Sequence, residues 1–168
     1  MEKYFYKIDT DTELIIEAVK NHLPKAQWYW ASYMTIASGF HIISKPVVEK
    51  DPFLKSLNDI FKAEVRIYKV PSKSWYRWHK DALFGVSMNM VLEDYECHTL
   101  FYGDAINEHL NNVIELKYQP KTWYLFNTQE VHGVLNLDSR DRILVSMNFP
   151  KEVSYEEVKQ WYVNYKAQ

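Results

Sequence analysis

A mainly β chain with helices on its outside, folded as a jelly roll, is what this 168-residue sequence predicts. Three observations carry the prediction. Helical apolar spacing occurs only toward the two ends of the chain. From Ala63 to Phe149 the hydrophobic period is two, in short runs parted by turn residues. Aromatic residues make up 16% of the chain and glycines number only 4, which marks a folded core and excludes a disordered chain.

The elements follow in order. Thr10 and Glu13 have capping-box spacing, and Leu14, Ile15, Ala18 and Val19 continue as a helix to about His22 and Pro24. Gln27 to Ile36 is aromatic and β-branched and reads as a strand. Asp51-Pro52 is an N-cap followed by proline at the first helical position, with Leu54, Leu57, Ile60 and Phe61 expected on one face. Glu64 to Val70 alternates. Phe84, Val86, Met88, Met90 and Leu92 share one strand face, with Ser87 and Asn89 on the other. Short strands follow at His98–Tyr102, Val113–Tyr118, Thr122–Phe126, Val131–Leu135 and Arg142–Phe149. Turn clusters part them at Pro71–Ser74, Gly103-Asp104, Pro120-Lys121 and Asn136–Arg140. Ser154 and Glu157 cap a final amphipathic helix bearing Val158, Trp161 and Tyr162. We expect one domain over 1–168: mixed helical support over 1–62, a jelly-roll core over 63–149, and a C-terminal helix over 150–168.

Net charge is −2, so nothing calls for a nucleic-acid or membrane partner. The single Cys97 excludes an internal disulfide and is expected to be a neutral core thiol. No apolar run has signal-peptide or membrane-span length, so a cytoplasmic protein is the expectation.

The residues that carry chemistry are His79, Asp81 and His132. Residues i and i+2 of a strand point the same way, so His79 and Asp81 can reach one ion while Lys80 points away. The pair alone carries little. It gains meaning from His132, 51 positions beyond Asp81, because two histidines and one carboxylate form the facial triad that holds non-haem Fe(II) and leaves positions open. Arg142 follows at the head of a strand whose apolar face is Ile143, Val145, Met147 and Phe149. Arg142, Leu144, Ser146 and Asn148 make the other face. A buried guanidinium there needs an anion, either a bound carboxylate or a neighbour such as Asp138 or Asp141. The aromatics and cations Trp75, Tyr76, Arg77, Trp78 and Lys80 read as a strand with a partly buried aromatic face and solvated charges. The remaining histidines (22, 41, 98 and 109) lack ligand spacing.

His79-Lys80-Asp81, then His132, then Arg142 ten residues on, resembles the Fe(II)/2-oxoglutarate-dependent dioxygenase superfamily. The context from Tyr124 to Thr128, and from Arg142 to Leu144, is similar to its prolyl-hydroxylase-like and aspartyl/asparaginyl-hydroxylase-like branches. The resemblance covers about residues 63 to 149. It implies a double-stranded β-helix (a cupin-like barrel) and Fe(II) on His79, Asp81 and His132. It also implies 2-oxoglutarate as co-substrate with its distal carboxylate on Arg142, further contacts from Tyr68, Ser87 or Asn89, and O2 as oxidant. The reaction so implied hydroxylates a C–H of a peptidyl residue or small metabolite, releasing succinate and CO2. Asp81 departs from those aspartyl/asparaginyl hydroxylases that lack the carboxylate ligand. Leu144 stands where some members carry serine. Asn148 replaces the second arginine of the nucleic-acid-demethylating branch, which argues against a nucleic-acid substrate. Two alternatives are a cupin-like metal enzyme without 2-oxoglutarate, disfavoured by His-x-Asp in place of His-x-His, and a non-catalytic jelly-roll binding module.

Overall fold

The computed structural model describes residues 2–30, 39–43, 45–108 and 111–167. Two antiparallel sheets face each other. The larger has the strand order β1 (Phe5–Ile8), β9 (Trp123–Phe126), β6 (Phe84–Val91), β11 (Arg142–Pro150), β4 (Glu64–Val70), β3 (Gly39–Ile42), β2 (Tyr29–Trp30). The smaller runs β5 (Ser74–His79), β10 (His132–Asn136), β7 (Cys97–Ala105), β8 (Asn111–Leu116). Helices α1 (Glu13–His22), α2 (Lys45–Val48), α3 (Pro52–Phe61) and α4 (Tyr155–Lys166) complete the set with a 3-10 turn, Leu23–Lys25.

The period-two pattern decides where the core lies. Val65 and Ile67 of β4, Val86, Met88 and Met90 of β6, and Val145, Met147 and Phe149 of β11 are buried with Ile15 and Val19 of α1, Leu54 and Leu57 of α3, and Val158 and Tyr162 of α4. The main core is therefore the helix side of the large sheet. Fully burying each such aliphatic contributes roughly 1.5–3 kcal/mol. The opposite face, turned toward the small sheet, carries the polar residues Ser87, Asn89, Arg142, Ser146 and Asn148, all buried. A second, smaller cluster of Tyr4, Phe101, Leu116, Tyr124 and Phe126 packs separately from the first. Strand β9 is buried on both faces because it contributes to both clusters.

Caps form where the sequence places two of three. Asp51 accepts the Leu54 amide at 3.0 Å, ahead of Pro52. Ser154 and Glu157 form a reciprocal capping box. The third, Thr10 with Glu13, does not form: α1 begins at Glu13, which is then the first helical residue and not the third. Asp11 accepts the Glu13 amide instead, and the Thr12 hydroxyl donates to the Lys121 carbonyl. On α3 the expected face is corrected as well. Ile60 is 56% exposed, since six residues of helix rotate it well away from Leu54, and Phe53 joins the core in its place.

Strands β1 and β3 add to those the sequence pattern predicts, and β5 begins at Ser74, inside the expected turn cluster. The strand expected over 27–36 is described only at Tyr29–Trp30, and residues 31–38 of it lie outside the described residues. The side chains of His41 and His109 also lie outside them. No helix among the described residues is long and apolar enough to cross a membrane.

Candidate metal centre

His79, Asp81 and His132 converge. One ligand atom from each lies within 4.8 Å of the others, and no other such group occurs among the described residues. Nε2 of His79 stands 3.4 Å from Asp81 Oδ1, and Nε2 of His132 stands 3.7 Å from the same oxygen. Adjacent ligands of an octahedral ion with bonds near 2.1 Å would be about 3 Å apart, so each histidine nitrogen stands within about 1 Å of that spacing from the Asp81 oxygen.

A β-bulge brings the two histidines together. His132 pairs with His79, but Val134 pairs with Tyr76, so three residues of β5 span two of β10. Strict alternation from Tyr76 would turn His79 outward. The extra residue reverses that parity and puts both rings on the inner face, 4.0 Å apart for Tyr76 and His79 and 4.2 Å for the two histidines. Gly133 lies opposite the bulge. A Cβ there would meet the Tyr76 carbonyl at 3.1 Å and the Trp78 ring at 3.4 Å. The strand ends at His79, which corrects the expectation that His79 and Asp81 converge as i and i+2 of one continuous strand. Asp81 stands just past the strand end, with its amide donating to the Thr128 carbonyl.

The tautomers are set by backbone. Nδ1 of His79 lies 2.7 Å from the Arg77 carbonyl, and Nδ1 of His132 lies 2.9 Å from the Glu130 carbonyl. A carbonyl only accepts, so Nδ1 carries the proton in each neutral ring and Nε2 keeps its lone pair. Burial, with His79 beside it, pushes the His132 pKa down to about 4, against the pull of Asp81. Two imidazole lone pairs and a carboxylate oxygen facing one point repel one another unless a cation lies between them. The donor set fits a divalent metal of the iron type.

These residues open on a cavity of about 190 Å³, also lined by Arg66, Tyr68, Ser87, Asn89, Tyr118 and Arg142. It is smaller than a drug-sized pocket of roughly 300–1,000 Å³. Arg142 is 2% exposed and has no carboxylate within ion-pair distance among the described residues. Its guanidinium donates to Thr99 Oγ1 at 3.1 Å and Cys97 Sγ at 3.3 Å, and lies 5.0 Å from the Tyr118 ring. The neighbours weighed from sequence are engaged elsewhere, Asp138 with Arg140 and Asp141 with Lys69. Burial pushes the Tyr68 and Tyr118 phenols up to about 12, so both remain protonated donors. Burial also raises the Cys97 thiol and keeps it neutral. Asn89 Oδ1 is buried without a hydrogen-bond partner. Trp75 and Trp78 are exposed on β5.

Sequence reasoning missed Tyr118 and Thr99, which flank the guanidinium, and Tyr76, which packs on His79. Tyr118 follows the end of β8, so parity along that strand does not predict its direction. The one sequence signal for the bulge is Gly133 beside His132.

The two facing sheets, the helices on the large sheet and the polar cavity between the sheets define a double-stranded β-helix, the fold of the Fe(II)/2-oxoglutarate oxygenases. Solved structures similar to it include a prolyl-4-hydroxylase from Pseudomonas putida, at 12% identity and a TM-score of 0.62, covering 89% of this chain and 93% of that one. A prolyl hydroxylase from Trichoplax adhaerens, solved with a hypoxia-inducible-factor peptide, is 13% identical with a TM-score of 0.62 over 88% of this chain and 84% of that one. HygX from Streptomyces hygroscopicus, solved with nickel, 2-oxoglutarate and hygromycin B, is 10% identical with a TM-score of 0.59 over 90% and 84%. At such identities the likeness shows the fold. No protein-family model and no curated protein matches the sequence.

Proposed function

We propose that the protein is a non-haem Fe(II)/2-oxoglutarate-dependent oxygenase that hydroxylates a C–H of a peptidyl residue or small metabolite. The observation that carries the reading is the pairing of two incomplete sites in one cavity: three converging donors that need a cation, and a buried guanidinium that needs an anion. A metal-chelating dicarboxylate completes both. His79, Asp81 and His132 would hold the iron, which when bound supplies oxygen activation coupled to decarboxylation of 2-oxoglutarate to succinate and CO2.

The protein's own part is geometry and dryness. Arg142 grips the distal carboxylate, with the neutral phenols of Tyr68 and Tyr118 available as donors. Ser87 and Asn89 stand on the same inner face and line the same cavity. No side chain is required as a general base. The fold neighbours include one solved with a peptide and one with hygromycin B, which supports both substrate sizes. Asn148 and the slightly acidic balance argue against nucleic acid. The unpaired Cys97 supports a cytoplasmic location.

The test is anaerobic. Fe(II) followed by 2-oxoglutarate should develop a metal-to-ligand charge-transfer band, and O2 should then yield succinate. His79→Ala and Asp81→Ala should abolish both. Turnover unchanged in these variants would defeat the triad. Metal binding with 2-oxoglutarate affinity indifferent to Arg142 would favour a cupin-like enzyme without that co-substrate.

A further inference from the structure

Asp81 is the weakest-anchored ligand by topology. Both histidines sit in paired strand, whereas Asp81 lies in the β5–β6 connection, where Leu83 is 62% exposed. Yet its main chain is fully engaged. Its amide donates to the Thr128 carbonyl at 3.1 Å. Its carbonyl accepts from Gln129 Nε2 at 3.2 Å and from Lys151 Nζ at 2.8 Å, which uses both lone pairs. At the other end of the connection the Phe84 carbonyl accepts from Gln129 Nε2 at 2.8 Å and Thr128 Oγ1 at 3.0 Å. Lys151 also donates to Gln129 Oε1 at 2.6 Å. An ammonium only donates, so the amide oxygen must face Lys151 and the amide NH2 must face the two carbonyls.

Two further features place this latch. Thr128 and Gln129 belong to the connection that leads directly into His132, so one segment ties the carboxylate ligand to a histidine ligand. Lys151 arrives because the chain after β11 crosses tightly over the start of β6. A Cβ on Gly85 would lie 2.1 Å from the Val153 carbonyl and 2.8 Å from that of Lys151.

We infer that Gln129 and Lys151 are positioning residues that hold the Asp81–Phe84 connection and thereby set the affinity of the metal centre. The inference rests on the metal-site reading above. Neither side chain touches the ion. They act by removing the freedom that the carboxylate would otherwise lose on coordination. Gln129 ties both ends of the connection, so its loss should weigh more than that of the exposed Lys151.

The test is Co(II) titration of the metal-free protein, read by its visible absorption, alongside melting of the metal-free protein. Gln129→Met, which keeps shape and removes both amide groups, should weaken Co(II) about tenfold, within the range for changes behind metal ligands. Lys151→Met should weaken it a few-fold and shift the Co(II) spectrum, and Lys151→Arg should restore both. Co(II) affinity equal to wild type in both Met variants overturns the inference. So does a loss of affinity that merely follows a loss of melting temperature. Should Gln129→Met fail to fold, the surface pair Lys151→Met and Lys151→Arg decides. Asp81→Ala separates the two levels. If it binds Co(II) as wild type does, the metal site itself is wrong and the inference falls with it. If Asp81→Ala loses Co(II) while both Met variants bind normally, only the latch is wrong.

Discussion

Arg142→Met should make the protein more stable and less able to bind 2-oxoglutarate at once. The guanidinium is 2% exposed, and its contacts are the Thr99 and Tyr118 hydroxyls, a thiol and the Tyr118 ring. The Tyr118 ring returns up to about 2 kcal/mol when desolvated, and the Thr99 hydrogen bond, made by a charged donor, about 1.5–3 kcal/mol. Against these stands a desolvation cost of several kcal/mol for a buried ion. Methionine fills much of the same volume without a charge. The metal-free, ligand-free variant should therefore gain up to about 1 kcal/mol, or roughly 2–4 °C in melting temperature for a chain of this size.

Binding moves the other way. Removing one partner of a buried, hydrogen-bonded pair costs about 3–5 kcal/mol, which is at least a hundredfold in dissociation constant. Wild type with a redox-silent divalent metal and 2-oxoglutarate at a hundred times its dissociation constant should gain about 2.7 kcal/mol. The variant should gain at most about 0.4 kcal/mol at that concentration. Calorimetric titration and thermal unfolding, each with and without ligand, read both signs. A variant that melts several degrees below wild type and still binds 2-oxoglutarate normally would show that Arg142 is a structural cation.

Three other outcomes follow from the geometry. Tyr118→Phe keeps the ring over Arg142 and removes one hydroxyl, so 2-oxoglutarate affinity should fall about tenfold or more, the equivalent of one hydrogen bond to a charged group, in the same titration. Gly133→Val drives a side chain against the bulge carrying Tyr76 and Trp78; it should cost about 1–3 kcal/mol in denaturant unfolding and weaken Co(II) binding by displacing His79. His132 has a native pKa of about 4, below the usual 6.5 or so, so its proton favours the unfolded chain. The stability of the metal-free protein is then intact above about pH 6.5 and should fall by about 2 kcal/mol by pH 5. His132→Asn should flatten that slope, and an equal slope in the variant would refute the assignment.

The alternation from Ala63 onward was legible because a buried face leaves a strict period of two. That one signal yielded the sheets, the apolar faces of β6 and β11, and the inward direction of Arg142, Ser87 and Asn89. Asp51-Pro52 and Ser154 with Glu157 were legible because a cap is a local hydrogen bond between residues three apart. What escaped depends on contacts distant in sequence. The Thr10 box is an exception: Asp11, one residue on, accepts the Glu13 amide that the box would have used. Tyr118 is aimed by the chain leaving β8. The bulge in β5 reverses the parity that the His79 direction depends on, and nothing between Ser74 and His79 announces it. The expected neighbours of Arg142 failed for a related reason: Asp138 and Asp141 are close in sequence but held by Arg140 and Lys69, and only the fold shows which cation each one serves.

The large sheet explains how so little shared sequence can carry one fold. Its strands hold two independent sets of residues. Even positions of β11, from Arg142 to Asn148, face the cavity, and odd positions, Ile143 to Phe149, face the helices. In a sandwich whose core lies between its sheets, altering the inner face would empty the core. Here the principal core lies outside the pair, under α1, α3 and α4, so the inner face is free to be polar, charged and changeable. Helix-side residues need only be apolar and of the right volume, a demand many sequences satisfy. The cost of this division falls on the inner face. The alignment of His79, Asp81 and His132 comes from ring packing, Tyr76 on His79 and Phe126 on His132, together with the bulge, the two imidazole–carbonyl bonds and the latch on the Asp81 main chain.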